Sequence, residues 1–415
     1  MKNMAVICTC LLLFLGGGLF AQEENELTEI TTRLNELKPG KSRFMMRGYA
    51  HSGLEIYENS SSFVGGSFNP IFLWQQSDRL LFEGELEVEL EDGQTVVGLE
   101  YANISYILSK AAILRVGRFL LPFGIFGDRL HPRWINRLPT NPLGFTHDAQ
   151  VGPTTDMGVE LRGGMPMGTG KINYSLYIVN GPTLNEGMID AEEGGQLHYA
   201  NYNDNNKNKA VGGRLGILPL NNSSVEIGFS GQRGKVGDTD SEYADVTATM
   251  LAVDFSMVKN LTALNSVLDV KAQWNQVSVS DASYISPEDP TGTTEYTFEN
   301  KSNAWFARAA LKPAYVDNAV LKNIEFTGRY SRMTLAEGAA WETDQTQITF
   351  GFNYWLDWRT VIKFAYQIND TAADADHGEG GGRTTGLTGG GAEEAAGGHG
   401  EPSGNAFFVH WSIGF

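Results

Sequence analysis

Apolar and polar residues alternate with a period of two through most of this chain. In one segment, for example, Ile348, Phe350 and Phe352 alternate with Thr349 and Gly351. Successive side chains of a β-strand point to opposite faces of the sheet, so this pattern predicts strands with one apolar face. A water-soluble sandwich and a membrane barrel both produce such strands, so the period by itself leaves the two folds open.

The number of strands and the lengths of the connections favour the barrel. We count sixteen strands, at approximately 42–57, 68–76, 79–91, 94–109, 111–120, 154–164, 169–180, 209–219, 223–233, 243–258, 264–279, 302–315, 322–333, 343–356, 358–370 and 405–415. Connections after even-numbered strands are all short. Nearly all the long connections follow odd-numbered strands: 121–153, 181–208, 234–242, 280–301, 334–342 and 371–404. Short turns on one rim and long loops on the other are typical of outer-membrane barrels. The sequence therefore predicts an all-β fold, a closed 16-stranded antiparallel transmembrane β-barrel over 42–415.

The amino-terminal residues have the features of a secretory signal peptide. Lys2 precedes an apolar stretch over 5–20, and the small residue Ala21 is followed by polar residues. We predict a signal peptide over 1–21, which places the mature chain beyond the inner membrane. A membrane-spanning helix is the alternative, although the apolar stretch is short for a span. Cleavage after Ala21 would remove Cys8 and Cys10 and leave the mature chain without cysteine.

A short helical pattern separates this signal from the barrel. Leu27, Ile30, Leu34 and Leu37 recur at steps of three or four residues, with charged residues between them. This spacing predicts a short amphipathic periplasmic helix over 22–41. A loosely ordered leader is the other interpretation.

The composition excludes several functional classes. The chain has 415 residues and a net charge of -18, so it is a poor candidate for binding nucleic acid. A mean hydropathy of -0.23 excludes a bundle of membrane helices. We find no catalytic constellation and no cofactor-binding motif, and we therefore do not expect an enzyme.

Charged residues mark one face of the third predicted strand. Carboxylates occupy every second position: Glu83, Glu85, Glu87, Glu89 and Glu91. Carboxylates do not face lipid, so we expect this glutamate ladder to face a hydrated lumen. The ladder is either a stripe that attracts cations in a pore or a solvated wall without selectivity.

The last strand carries the expected assembly signal. Trp411, Ile413 and Phe415 lie on one face, and the chain ends at Phe415. A final strand with a terminal phenylalanine resembles the strand that the barrel-insertion machinery recognises. An aromatic residue at the membrane interface is the simpler reading of the same pattern.

Two motifs indicate a family. The segment 115–124 (RVGRFLLPFG), the later Arg137-Leu138-Pro139 and the segment 155–163 (TDMGVELRG) resemble the phosphate-selective porin O/P type family. The resemblance implies a trimeric, sixteen-stranded diffusive channel. Phosphate-selective members of that family line the pore with arginines and lysines. The matching wall here carries glutamates, so the resemblance implies a porin without fixing its solute.

The connection over 121–153 is the expected constriction loop, because the third outer loop of sixteen-stranded porins folds into the lumen. Arg129, Arg133 and Arg137 recur every four residues, and His131 lies among them. A helix over 129–136 would place the three arginines on one face, opposite the glutamate ladder. In one interpretation, the arginines and the glutamate ladder create a transverse electric field across the constriction. In the other, the arginines only tie the loop to carboxylates of the wall.

These observations predict a porin of the cell outer membrane that passes small hydrophilic solutes or ions by passive diffusion. Its expected partners are outer-membrane lipid, the barrel-assembly machinery and, as a homotrimer, copies of itself. The alternatives are a channel specific for anions such as phosphate or for metal ions, and a structural or enzymatic barrel that does not conduct. The glycine-rich extracellular loop over 371–404 contains His377 and His399 among carboxylates. It is either a weak Zn²⁺ or Cu²⁺ site or a hydrophilic loop.

Overall fold

The computed structural model describes residues 43–91, 94–145, 150–199, 202–289, 292–371 and 404–415. The predicted signal peptide (1–21), the predicted amphipathic helix (22–41) and most of the glycine-rich loop (371–404) lie outside these residues.

Sixteen antiparallel strands form one closed barrel in which each strand pairs with its neighbours along the chain. The strands are β1 (Arg43–Tyr57), β2 (Ser61–Gln75), β3 (Leu80–Glu91), β4 (Gln94–Ser109), β5 (Ala112–Leu120), β6 (Thr155–Met167), β7 (Gly170–Val179), β8 (Ala210–Leu218), β9 (Val225–Lys235), β10 (Thr247–Leu261), β11 (Ser266–Val279), β12 (Lys301–Lys312), β13 (Ile324–Thr334), β14 (Asp344–Trp355), β15 (Thr360–Thr371) and β16 (Ala406–Gly414). The predicted closed sixteen-stranded barrel is therefore confirmed.

Most strand boundaries agree with the prediction to within a few residues, and the largest difference is at β2. This strand begins at Ser61, seven residues before the predicted start at residue 68. The register with β1 shifts between His51 and Ser52, where Gly65 and Gly66 both have φ of 84°. Glycine adopts this conformation without steric cost, so a bulge lets the strand continue where the alternation is interrupted.

The barrel closes between β1 and β16. Their register runs from the Tyr49–Gly414 pair to the Tyr57–Ala406 pair. One residue beyond the Tyr49–Gly414 pair, the backbone N–H of Phe415 donates to the carbonyl of Gly48 (2.9 Å), and the Gly48 N–H donates to the Phe415 carbonyl (3.1 Å). The last residue of the chain thus extends the pairing that joins the two ends of the sheet.

The two faces of the wall differ as the alternation predicts. On β14, Ile348 and Phe350 are 42% and 49% exposed on the outer face, whereas Gln347 and Thr349 are buried on the inner face. On β16, Trp411 and Ile413 point outward and His410 and Ser412 point inward, because only the second pair is buried. Backbone groups in lipid must all be paired, and a closed barrel achieves this without a free edge.

The long connections, which share one rim of the barrel, have structure of their own. Two contain a small hairpin, one pairing Thr183–Leu184 with Leu197–His198 and the other pairing Tyr284–Ile285 with Glu295–Tyr296. Tyr243 and Tyr284 stack at 5.7 Å between two of these loops. Burial and the neighbouring Glu242 carboxylate raise the pKa of Tyr243 to about 12. No helix in the described ranges is long and apolar enough to cross a membrane.

Candidate constriction site

The connection between β5 and β6, which we call loop L3 (121–154), folds into the barrel. Its backbone N–H groups at Ile125 and Phe126 donate to the Gln273 side chain on β11, at 2.7 and 2.9 Å. The Gly124 N–H donates to Ser230 on β9 at 3.0 Å. Gln273 and Ser230 lie on the inner face of the wall, so these contacts carry the loop across the lumen.

An apolar core fixes the first part of loop L3 against the wall. Phe126 and Phe145 of the loop pack edge to face with Phe306 of β12, at ring distances of 5.7 and 5.1 Å. Met250 and Met333, both buried on the inner face, belong to the same cluster. Aromatic pairs of this kind contribute about 0.5–1.5 kcal/mol beyond the area they bury. This apolar core was not predicted from the sequence, because inward positions were expected to be polar.

Polar contacts fix the second part of the loop to β13, β14 and β15. Arg329 donates to the carbonyl (2.5 Å) and hydroxyl (2.9 Å) of Thr140, and Asn353 donates to the Arg137 carbonyl at 2.9 Å. The buried ammonium of Lys363 donates to the carbonyl of Arg133 and to that of Asn136, the latter at 2.6 Å. A buried charge requires such partners, so Lys363 and the two carbonyls stabilise one another.

The predicted helix over 129–136 is wrong. The loop instead contains one turn of π-helix at Phe126–Leu130, and a tight turn then begins at Pro132. Successive contacts with different strands of the wall bend the backbone, so the four-residue spacing does not place Arg129, Arg133 and Arg137 on one face.

The three arginines consequently approach different partners. The Arg129 guanidinium forms a bidentate pair with Glu226 on β9, at 2.8 and 3.2 Å. Arg137 lies 3.5 Å from Glu325 on β13 and 4.9 Å from the centre of the Trp355 ring. Arg133 donates to the Pro139 carbonyl at 2.8 Å, and it interacts electrostatically with Glu87 of β3. His131 bonds through Nδ1 to the Gly127 carbonyl at 2.6 Å, so it caps the π-helical turn.

The glutamate ladder faces the lumen from β3. Glu85 is almost fully buried, and Glu83 accepts a hydrogen bond from the Tyr101 hydroxyl at 3.4 Å. Within the described part of the chain, no ion pair within 4 Å joins Glu83, Glu85 or Glu87 to a cation, unlike the carboxylates beside Arg129 and Arg137. Glu89 lies on the same face, and the side chain of Glu91 is outside the described residues. The ladder therefore contributes negative charge on the wall nearest Arg133.

A cluster of cations on the inner face of β11–β15 was not predicted. We call it the basic cluster, and its members are Lys271, Arg308, Lys312 and Lys363 of the wall together with Arg137 of loop L3, which is the one predicted residue among them. Among the described residues, two carboxylates oppose these five cations: Asp269 lies 3.0 Å from Lys271 and 3.2 Å from Arg308, and Glu325 lies beside Arg137. The alternation of residues could have predicted part of this cluster. The apolar residues at 268, 270 and 272 must face lipid, so Lys271 between them must point into the lumen.

Three buried hydrogen-bond donors in or beside the basic cluster have no hydrogen-bond partner among the described residues. Two belong to the cluster, the Nε–H of Arg137 and that of Arg308, whose side chain is 4% exposed, and the third is the indole N–H of the adjacent Trp355. Unpaired buried donors are uncommon and costly, so this part of the lumen has spare capacity to bind an acceptor or an anion.

The fold is that of the sixteen-stranded porins, with a third outer loop that packs inside the barrel. Three of the solved structures that match it are two porins and a trimeric outer-membrane protein. OmpF of Salmonella typhi, in complex with daunomycin, matches with a TM-score of 0.54 and 13% identity, over 90% of this chain and 97% of that one. The anion-selective porin of Comamonas acidovorans matches with a TM-score of 0.51 and 13% identity, over 90% and 100%.

The in-vitro folded, trimeric OmpT of Vibrio cholerae matches with a TM-score of 0.50 and 13% identity, over 90% of this chain and 99% of that one. Identities this low show a common fold. No protein-family model and no curated protein matches the sequence.

Proposed function

We propose that the protein is an outer-membrane porin through which small hydrophilic solutes or ions diffuse passively. The observation that carries this proposal is the position of loop L3. The loop packs on the β9–β15 side of the lumen, and Glu83, Glu85 and Glu87 of β3, which form no ion pair within 4 Å among the described residues, lie on the wall nearest Arg133. Solutes would pass between Arg133 and the glutamate ladder, in a space where the two walls carry opposite charge.

The same geometry gives roles to the predicted site residues. Arg133, Glu83, Glu87 and Glu89 would line the narrowest part of the path, and the almost fully buried Glu85 would add charge behind this surface. Arg129 and Arg137 would chiefly hold the loop in place, because each is paired with a carboxylate of the wall, and His131 would stabilise the π-helical turn.

The basic cluster favours a second candidate, a channel selective for anions such as phosphate. Its excess of positive charge and its unpaired donors are suited to phosphate or carboxylate oxygens. It also supplies the lumen arginines and lysines that the phosphate-selective porin O/P type family uses, which supports membership of that family. The anion-selective porin from Comamonas acidovorans shares the fold.

Two partners follow from the outer surface of the barrel. We propose a homotrimer, as in the OmpT structure described as a trimer, and recognition of Trp411, Ile413 and Phe415 by the barrel-assembly machinery. Trp411 and Ile413 are exposed on the outer face of the last strand. The test of the trimer is chemical crosslinking of the protein in its native membrane.

Planar-bilayer recording of the refolded protein in asymmetric KCl tests both channel candidates. Discrete single-channel currents support the porin, and the sign of the reversal potential separates a cation path from an anion path. The triple variant Glu83→Gln, Glu85→Gln and Glu87→Gln should shift this potential toward anion preference. The pair Lys271→Gln and Lys312→Gln should shift it the other way.

The variant Glu58→Gln, which neutralises an exposed carboxylate on the outer rim, is the matched control and should leave the potential unchanged. A folded barrel that carries no current contradicts the porin and favours a structural barrel. If neither set of substitutions alters the current or the reversal potential, neither the glutamate ladder nor the basic cluster lines the conducting path.

A further inference from the structure

Glu85 is more deeply buried than Glu83, Glu87 and Glu89, its described neighbours in the glutamate ladder. It is 2% exposed, and its Oε1 has no hydrogen-bond partner among the described residues. The hydroxyl of Tyr101 on β4 interacts with the same carboxylate. A buried carboxylate with an unpartnered oxygen is costly, and a cation beside it removes this cost.

Asn103 on β4 faces the same part of the lumen wall. The register pairs Asn103 with Glu83, and side chains directly opposite each other have Cβ atoms about 4.5–5.5 Å apart. Asn103 is 2% exposed, and neither its Oδ1 nor its Nδ2 has a partner among the described residues. Nearly all buried amide groups in proteins are hydrogen-bonded, so this side chain has the capacity to coordinate a ligand.

These side chains form a compact arrangement on two neighbouring strands, which we call the wall site: Glu83, Glu85, Tyr101 and Asn103. The Tyr101 hydroxyl donates to Oε1 of Glu83 at 3.4 Å. Glu83 and Glu85 are two residues apart on one face, so their backbones are separated by about 6.6 Å and both side chains can reach one ion between them. Glu83 is only half-buried, which leaves an approach from the lumen.

Negative charge predominates around the wall site. Glu83, Glu85 and Glu87 form no ion pair in the described part of the chain, unlike the carboxylates beside the arginines of loop L3. Glu100, which the register between β3 and β4 skips, adds a carboxylate that interacts with Glu85 and Glu87. Like charges this close repel one another, so a bound cation would stabilise the wall.

The available donor atoms favour a hard cation. Carboxylate and amide oxygens are ligands of Ca²⁺, which takes about six to eight oxygens in a flexible geometry, whereas Mg²⁺ demands a near-ideal octahedron. No group of three or more histidine, cysteine or carboxylate side chains among the described residues could hold a metal ion. Two carboxylates therefore need the Asn103 oxygen and water to complete the coordination shell.

We propose that Glu83, Glu85 and Asn103 bind one Ca²⁺ ion on the lumen wall, and that the bound ion reduces the negative charge that this wall presents to solutes. The two carboxylates supply the charge, and Tyr101 orients Glu83. A site with two carboxylates and an open geometry corresponds to a Kd of about 0.1–1 mM. The effect on ion preference rests on the proposed channel function, whereas the binding itself does not.

Equilibrium dialysis of radioactive Ca²⁺ against the refolded protein in a nonionic detergent tests the site. At about pH 8, where carboxylates are ionised, the native protein should bind one ion in this affinity range. Glu85→Gln should weaken binding about tenfold or more, because it removes a charged ligand. Asn103→Asp should tighten it about tenfold, because it adds one, and an asparagine with a purely structural role would give no such gain.

Glu89→Gln is the matched control. It removes the same charge from the same face of β3, but about 13 Å along the strand from Glu85. It should therefore change the affinity by no more than about threefold, which is the effect of one distant charge on a divalent ion in water. Ions held by other carboxylates of this acidic chain would bind equally to all four proteins.

Bilayer recording in asymmetric KCl tests the consequence for conduction. About 5 mM CaCl₂, several times the expected Kd, should move the reversal potential of the native channel toward anion preference. The same concentration of MgCl₂ screens surface charge to the same extent but fits the site poorly, so it should move the potential less. In Glu85→Gln the two salts should have equal effects.

The outcomes separate the two proposals. Absence of current contradicts the porin, while dialysis still decides the site. Normal current without saturable Ca²⁺ binding overturns the site alone, as does equal affinity in the native, Glu85→Gln and Asn103→Asp proteins. Binding that follows the variants but leaves the reversal potential unchanged refutes the effect on ion preference. Each variant is compared as a heat-modifiable barrel, and if Glu85→Gln does not assemble, the gain in Asn103→Asp decides.

Discussion

Lys363 provides the sharpest test of how loop L3 is held. Its ammonium is buried, donates to the carbonyls of Arg133 and Asn136, and lies among the like charges of Arg133 and Arg137. In Lys363→Met the two carbonyls lose a charged donor, which costs about 1–3 kcal/mol for each group left buried and unpaired. Relief of repulsion from the neighbouring arginines offsets part of this cost.

The net destabilisation of the docked loop is therefore about 2 kcal/mol, which corresponds to a roughly 30-fold rise in the population of the released loop. The strand ladder keeps every backbone bond, so the barrel should resist heat in detergent as the native protein does, as judged by its electrophoretic mobility. The effect should instead appear in bilayer recordings as frequent brief closures. Lys322→Met, at an exposed residue of a turn between strands, is the matched control. Native-like current in Lys363→Met would show that this lysine does not hold the loop, and the assignment of the basic cluster would need revision.

Three further predictions concern topology, assembly and screening. A tag near Gly390 should be labelled from outside intact cells, and a tag at Asn221 should not. The reverse result would show that the barrel has the opposite orientation in the membrane. The ring of Phe415 stacks on Phe68 at 5.6 Å, and its backbone pairs with that of Gly48. Deletion of Phe415 should therefore leave unassembled chain in the periplasm. The variant Trp411→Asp, which places a charge on the outer face of the last strand, should have the same effect. A heat-modifiable barrel in either variant would contradict the role of the last strand. The shift in reversal potential in the glutamate triple variant should be large in dilute salt and small near 1 M, where charges are screened within about 3 Å; a shift independent of salt would indicate a change of pore shape.

Local pattern determined much of the architecture. The number of strands and the lengths of the connections could be read from the sequence, because the period of two and the positions of turns depend on residues close together in the chain. The outward orientation of Ile348 and Trp411 followed from the same period. The start of β2 did not, because the two glycines at the bulge interrupt the alternation while the strand continues through them.

The interior was decided by contacts between residues far apart in the chain. The sequence showed Arg129, Arg133 and Arg137 at helical spacing, but their partners Glu226, Glu325 and Glu87 come from three different strands. The alternation turned Lys271 and Lys363 inward, yet only the folded wall and the docked loop L3 bring both lysines near Arg308 and Arg137. The apolar residues Met250 and Phe306 break the rule that inward positions are polar, because loop L3 covers them. The sequence by itself determined a sixteen-stranded barrel with a charged lumen, since each strand carries its own inside and outside. Only the tertiary structure decided which charges oppose one another, because that depends on where the loop docks and on which strands the closed wall brings together.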